Sequence, residues 1–301
     1  MFLTSLVAPW LWAIFTVIAA AGQTLRNALQ RELTGRLGTV GATHVRFLFG
    51  LPFACVFLAL VLGVTGLPPP PLTLRALGWT AMGGGAQIVA TALMLAAMRS
   101  RSFVVTTALI KTEPVLVALF ALIILGEQPT LLTVLAILIA TCGVLLLSWP
   151  RAAAGRDWQS VALGVAAAAS FALSAVGFRG AIRGLDTPSF VVAASTILVL
   201  GLALQTAVLT TWLLLFDRPC LAAIFRLWRP SLTAGFLGAF ASQFWFLAFA
   251  VASVAQVRTL ALVEVVFAQI LSRNIFRQDA TMREYAGMGL IVAGVVLLLN
   301  G

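Results

Sequence analysis

Apolar runs of about 20 residues, the length a helix needs to cross the hydrocarbon core of a bilayer, recur along this chain from near Leu6 to Leu299. Only short polar stretches separate them. Lipid offers no partner for unpaired backbone groups, so this pattern points to an all-α integral membrane protein. Composition agrees, since 61% of the 301 residues are hydrophobic and 9% are charged, where a soluble domain carries about a quarter charged residues. No stretch is left over for a soluble domain. Cutting at charges, prolines and glycines gives ten transmembrane helices, near 6–29, 43–64, 76–98, 103–125, 130–149, 160–182, 189–216, 231–252, 255–276 and 284–300. Ala19, Ala20, Ala21 and Gly22 resemble a cleavage site, but nothing basic precedes them and Arg26, Arg31 and Arg36 follow. The first segment therefore reads as a retained helix.

The net charge of +10 raises the question of nucleic acid, yet no basic run is interleaved with exposed aromatics. The arginines sit singly between apolar spans, as loop charges that orient helices do, and no nucleic-acid partner is expected. Cys55, Cys142 and Cys220 lie apart and His44 is the one histidine, which leaves no metal-ligand spacing and no cofactor to expect. No G-x-x-x-x-G-K-[ST] motif occurs, so ATP is not the direct energy source within this chain.

The two halves align when the second is slid back. At an offset of 151, Glu113 meets Glu264, Ser102 meets Ser253, Thr130 meets Thr281, and Gly143-Val144 meets Gly294-Val295. At 153, Arg26 meets Arg179 and Thr34 meets Thr187. Apolar helices align by chance, whereas rare charged residues do not. The expected units are 1–150 and 151–301. Five helices per half is an odd number, so the second half enters the membrane upside down, giving two inverted five-helix repeats as transporters use.

Three local patterns resemble the drug/metabolite transporter superfamily, specifically its EamA-like, ten-helix branch. Glu113-Pro114-Val115 followed by Leu125-Gly126-Glu127-Gln128-Pro129-Thr130 is similar to that family's helix-four proline and its turn into helix five. Gly143-Val144-Leu145-Leu146-Leu147, echoed by Gly294-Val295-Val296-Leu297-Leu298, looks like the family's ending of each half. Val45-Arg46-Phe47-Leu48 resembles the family's opening of helix two. The second half departs from the pattern, with Val265 in place of Pro114 and Arg277-Gln278-Asp279 in place of Gly126-Glu127-Gln128. The resemblance implies export of amino-acid-like compounds or drugs across a bacterial cytoplasmic membrane, by a monomer or homodimer.

Two arguments about orientation disagree. The resemblance implies cytoplasmic termini. The odd-numbered loops, however, hold Arg31, Arg36, Arg99, Arg101, Arg151, Arg156, Arg218, Arg226, Arg229, Arg273, Arg277 and Arg283, against Arg75, Arg179 and Arg183 in the even ones. The positive-inside rule puts the odd loops in the cytoplasm and the termini outside, and it works best on short loops such as these.

Glu113 and Glu264 are the sharpest chemical signal, each near the middle of a span, where a carboxylate costs at least ~2.5 kcal/mol. Desolvated carboxylates either side of a pseudo-twofold axis are suited to carrying a proton as a midplane cavity opens to each side in turn. The alternative is a structural role, clamped by cations. Lys111 lies two residues from Glu113 and so faces nearly the opposite way on a regular helix, toward a substrate carboxylate or another helix; Arg258 lies more than a turn before Glu264. His44 and Arg46 open the second span, where snorkelling to headgroups competes with lining the cavity. Gln87, Gln243 and Trp245 sit well inside their spans, suited to a polar or cationic ligand or to helix packing. Trp10, Trp12, Trp149, Trp158 and Trp228 fall at span ends as interfacial anchors. Gly83-Gly84-Gly85 and Gly235 with Gly238 permit close helix approach, and Pro52 and Pro114 are expected to kink their helices.

The reading these residues support is a proton-coupled secondary transporter of small polar or amphiphilic molecules, working by alternating access. A lipid-modifying membrane enzyme would want clustered His, Asp or Cys at the membrane edge, which this chain lacks. A channel or scaffold stays open as the other alternative.

Overall fold

The computed structural model describes residues 10–97, 109–148, 158–266 and 281–300. Among these the regular elements are all helical: α1 (Leu11–Leu48), α2 (Gly50–Thr65), α3 (Leu74–Ala97), α4 (Glu113–Phe120, widening into a π-type turn at Ala121–Leu125), α5 (Leu131–Ser148), α6 (Trp158–Arg183), α7 (Phe190–Phe216), α8 (Arg218–Arg226), α9 (Trp228–Val251), α10 (Val254–Leu260) and α11 (Met282–Leu299). Six helical segments are long and apolar enough to cross a membrane, with the shorter apolar helices 113–125 and 131–147 beside them. Large apolar side chains such as Val56, Leu60, Ile123, Leu131, Leu138 and Val296 are exposed on the outside, an arrangement suited to lipid and hostile to water. Ser102, Trp149, Arg99, Arg101, Arg151, Arg156, Arg273, Arg277, Gln278 and Asp279 lie outside the described residues.

Helix α1 is two arms. Gly38 has φ 70° and ψ 179°, outside the helical region, a conformation that costs glycine little. Gln30 Nε2 donates to the Ala42 carbonyl at 3.0 Å, twelve positions away, whereas a straight helix would separate those residues by about 18 Å. The chain therefore folds back at Gly38. The first apolar span thus runs well past the expected end at residue 29, because Arg26, Gln30 and Thr34 are buried inside the protein and do not mark the helix's exit from the membrane. A second bend, at Phe49 before Gly50, lies just upstream of Pro52, whose missing N–H ends the hydrogen-bond ladder there. The proline run Pro68 to Pro71 lies in the loop between α2 and α3, as expected.

Caps set other boundaries. Ser189 accepts from Val192 N at the start of α7, and Asp217 from Cys220 N at the start of α8. Capping boxes open α10 (Ser253, Gln256) and α11 (Thr281, Glu284).

The helices pair as α1 with α9, α3 with α6, and α5 with α11. Glycine makes the closest crossings possible. A Cβ on Gly177 of α6 would stand 2.7 Å from the Gly83 backbone of α3, and one on Gly143 of α5 would stand 2.7 Å from the Gly287 carbonyl of α11. Gly235 of α9 meets the Phe49 bend in the same way, its hypothetical Cβ 2.5 Å from the Phe49 carbonyl carbon. Gly85, by contrast, has open space beside it and makes no such contact. The apolar core lies where α6, α7 and α9 meet, with Phe178 and Phe246 at 4.5 Å between ring centroids.

Candidate substrate cavity

Two helix breaks build the site. Between Ile110 and Glu113 the chain leaves the α-helical ladder: Thr112 N bonds Leu109 O and Val115 N bonds Thr112 O, both one residue short of the helical spacing. After α10 the same happens, with Leu262 N to Thr259 O and Glu264 N to Ala261 O. Pro114 stands just inside α4 at the first break, yet Val265 occupies the corresponding place at the second, so proline is not what the second break depends on. Backbone freed in this way inside a membrane is tolerated where it lines protein or a cavity.

The breaks decide where the charges point. On a regular helix Lys111 and Glu113 would face apart; here both line one cavity of about 320 Å³, together with Arg258 and Glu264. The pairing is crosswise. Lys111 Nζ donates to Glu264 Oε1, and Arg258 Nε stands 3.1 Å from Glu113 Oε1, an ionic contact not aligned as a hydrogen bond. Each glutamate therefore meets a cation from the other half of the sequence, a partnership that counting along either helix does not reveal. Both glutamates are mostly buried, with side-chain exposures of 13% and 14%.

Trp245 meets a cation of the protein itself. Its ring face is taken by Arg258, whose Cζ lies 4.4 Å from the ring centroid, and its indole N–H donates to Gln23 Oε1 at 3.1 Å. The face is thus occupied by the protein's own cation and not open to a ligand's. Arg46 is 3% exposed and does not snorkel; it donates to Thr91 Oγ1 and Ser242 Oγ and lines a small void of about 10 Å³ that shares Gln23, Phe171 and Arg258 with the main cavity. His44 is likewise fully buried, its Nε2 at 3.0 Å from Thr210 Oγ1. Both residues sit inside the second arm of α1 because that arm begins at the Gly38 break, earlier than expected. Gln87 lines the same small void and accepts from Gln205 Nε2. Gln243 donates to Ser195 Oγ across α7 and α9 and lines neither cavity, which is the packing role.

Sequence reasoning missed Arg26. It is 1% exposed and lines the main cavity beside Gln23 and Asn27. Its Nη2 donates to Asn27 Oδ1 at 2.7 Å, while Nε and Nη1 find no acceptor. The one signal for it was its alignment with Arg179. That residue, near the end of α6, donates to Glu127 and to the carbonyls of Phe249 and Ala252 at the end of α9. Arg183 adds a contact to the same carboxylate at 3.3 Å. Together these tie the turn between α4 and α5 to α6 and α9.

The result is a bundle of apolar helices around a charged interior cavity. Residues 10–149 match the model of the EamA-like transporter family. Members of that family are transporters, and the apolar helices make this chain a multi-pass membrane protein. No curated protein matches it by sequence. A solved structure described as "Crystal structure of protein" superposes with a TM-score of 0.67 over 96% of this chain and 95% of that one, at 15% identity, and so shares the fold along nearly the whole length.

Proposed function

We propose that this chain is a proton-coupled secondary transporter of small polar or amphiphilic molecules, built as ten spans in two inverted repeats, 1–150 and 151–301, and working by alternating access in a bacterial cytoplasmic membrane. The observation that carries the reading is the crosswise ion pairing of Glu113 with Arg258 and of Glu264 with Lys111 around one cavity. A proton arriving on either carboxylate dissolves a bond between the two halves and frees a cation, which links protonation to a rearrangement of one half against the other. Helix pairing supports the inverted repeat. Exchange of the halves turns the α1 with α9 contact into the α3 with α6 contact and leaves α5 with α11 paired to each other, which is the set observed. The Glu127, Arg179 and Arg183 cluster is the natural closure at the end remote from the cavity. Export is the direction the family resemblance implies.

Solid-supported-membrane electrophysiology on reconstituted protein, run against a metabolite panel, tests this. Saturable, pH-dependent currents are expected from the wild type and their loss from Glu113→Gln and Glu264→Gln. Unchanged, pH-insensitive currents in both variants defeat the coupling, and currents that never saturate favour a channel.

A further inference from the structure

Among the described residues the charges around the cavity and the void beside it do not balance. Arg26, Lys111 and Arg258 line the cavity with Glu113 and Glu264, Arg46 lines the adjoining void, and the two ion pairs use up Lys111 and Arg258. Arg26 and Arg46 have no carboxylate within ion-pair distance among the described residues. Their side chains lie side by side against α9, where Gly238 leaves the room: a Cβ there would stand 3.1 Å from Arg46 Cγ and 3.5 Å from Arg26 Cδ. Two guanidinium groups in neighbouring positions repel each other, and burial sharpens that repulsion.

Arg46 at least spends donors on two hydroxyls. Arg26 spends one on its neighbour Asn27 and holds Nε and Nη1 idle, though it is almost completely buried and borders the cavity. Buried charges in proteins are paired or belong to a binding site.

We propose that Arg26 receives an anionic group of the transported molecule, so that the substrate is an organic oxyanion, with its carboxylate, sulfonate or phosphate on the guanidinium. Arg46, behind it, adds to the positive potential. The rest of the molecule lies against Met94, Pro114 and Phe171, apolar residues that line the same cavity. A guanidinium suits such a group because its planar donors match the geometry of an oxyanion. The inference rests on the transporter reading and narrows its substrate class.

Matched pairs of acid and neutral amide test it on the full chain in nanodiscs: benzoate against benzamide, and N-acetyl-leucine against its amide, read by thermal shift and by isothermal titration. The expected result is that the acids bind and the amides bind at least tenfold more weakly. Arg26→Gln should lose tenfold or more in acid affinity, Arg26→Lys should keep part of it, and Arg36→Gln, on the exposed surface, should match wild type. Without ligand, Arg26→Gln should melt at or above the wild-type temperature, because it removes a buried charge with no ion-pair partner among the described residues; a structural arginine would show the opposite. Equal binding of acids and amides, or acid binding untouched in Arg26→Gln, overturns the proposal. So does a fall in the ligand-free melting temperature of that variant. Acid binding without saturable flux in proteoliposomes would sink the transporter reading and leave the anion site standing. Saturable flux of neutral or cationic compounds alone, insensitive to Arg26→Gln, would do the reverse.

Discussion

Arg26 in α1 and Arg179 in α6 align when the two halves of the sequence are superposed, yet their surroundings are opposite. Arg179 is matched by the Glu127 carboxylate and two backbone carbonyls, and the group joins three segments of the chain. Arg26 has one amide oxygen, from the residue next to it, and is buried in the wall of the cavity. A buried cation whose donors meet a carboxylate and backbone carbonyls of the protein holds structure together. One whose donors are left over raises the energy of the empty protein and lowers it again only when something binds. The two arginines differ in what the fold supplies to them and not in their own chemistry.

Substitutions break or sharpen this contrast in a definite order. The largest effect is expected from Glu113→Gln, which turns Arg258 into a second unmatched cation; loss of one partner from a buried ion pair costs about 3–5 kcal/mol. Chemical or thermal unfolding in micelles should show that loss, and Glu113→Gln combined with Arg258→Gln should recover most of it; a double variant no better than the single one would mean that the ion pair does not set stability there. Next, Arg179→Gln should destabilise by about 2 kcal/mol, as a charged hydrogen-bond donor to buried acceptors is removed. The same variant should raise the reactivity of a cysteine placed at Gln256 toward an impermeant maleimide, and no change would argue against closure at that end. Arg26→Gln reverses the sign: in the ligand-free protein a gain of about 1 kcal/mol is expected, since a shorter neutral amide replaces a buried charge that has no ion-pair partner among the described residues. The smallest effect belongs to Arg183→Gln. Its side chain is 56% exposed and its contact to Glu127 is 3.3 Å, so a change below about 0.5 kcal/mol is expected in the same unfolding measurement.

Much of this contrast was hidden in the sequence for a physical reason. Apolar spans announce themselves because lipid demands about 20 apolar residues from each crossing helix, and Glu113 and Glu264 stand out because a carboxylate in such a span is rare and costly. Arg26 was concealed by the same logic, since a charge near the end of an apolar run looks like the place where the helix leaves the membrane. Helix α1 instead continues to the Gly38 break and carries Arg26 inward. Lys111 was misjudged because helical periodicity assumes a regular helix, and the chain is irregular between Ile110 and Glu113. Trp245 looked available to a ligand, but Arg258 reaches it from another segment.

By itself the sequence determined the environment, the helical class, the likeness to a transporter family in its first half, and the two carboxylates placed within apolar spans. Those follow from local properties: hydrophobic length, the cost of charge in lipid, and short motifs. Only the tertiary structure decided which cation answers which carboxylate, and which arginine is left without an answer. Coulombic pairing depends on distance in space, and here residues more than a hundred positions apart, such as Lys111 and Glu264, are brought together by helix breaks and glycine crossings that no count along the chain measures.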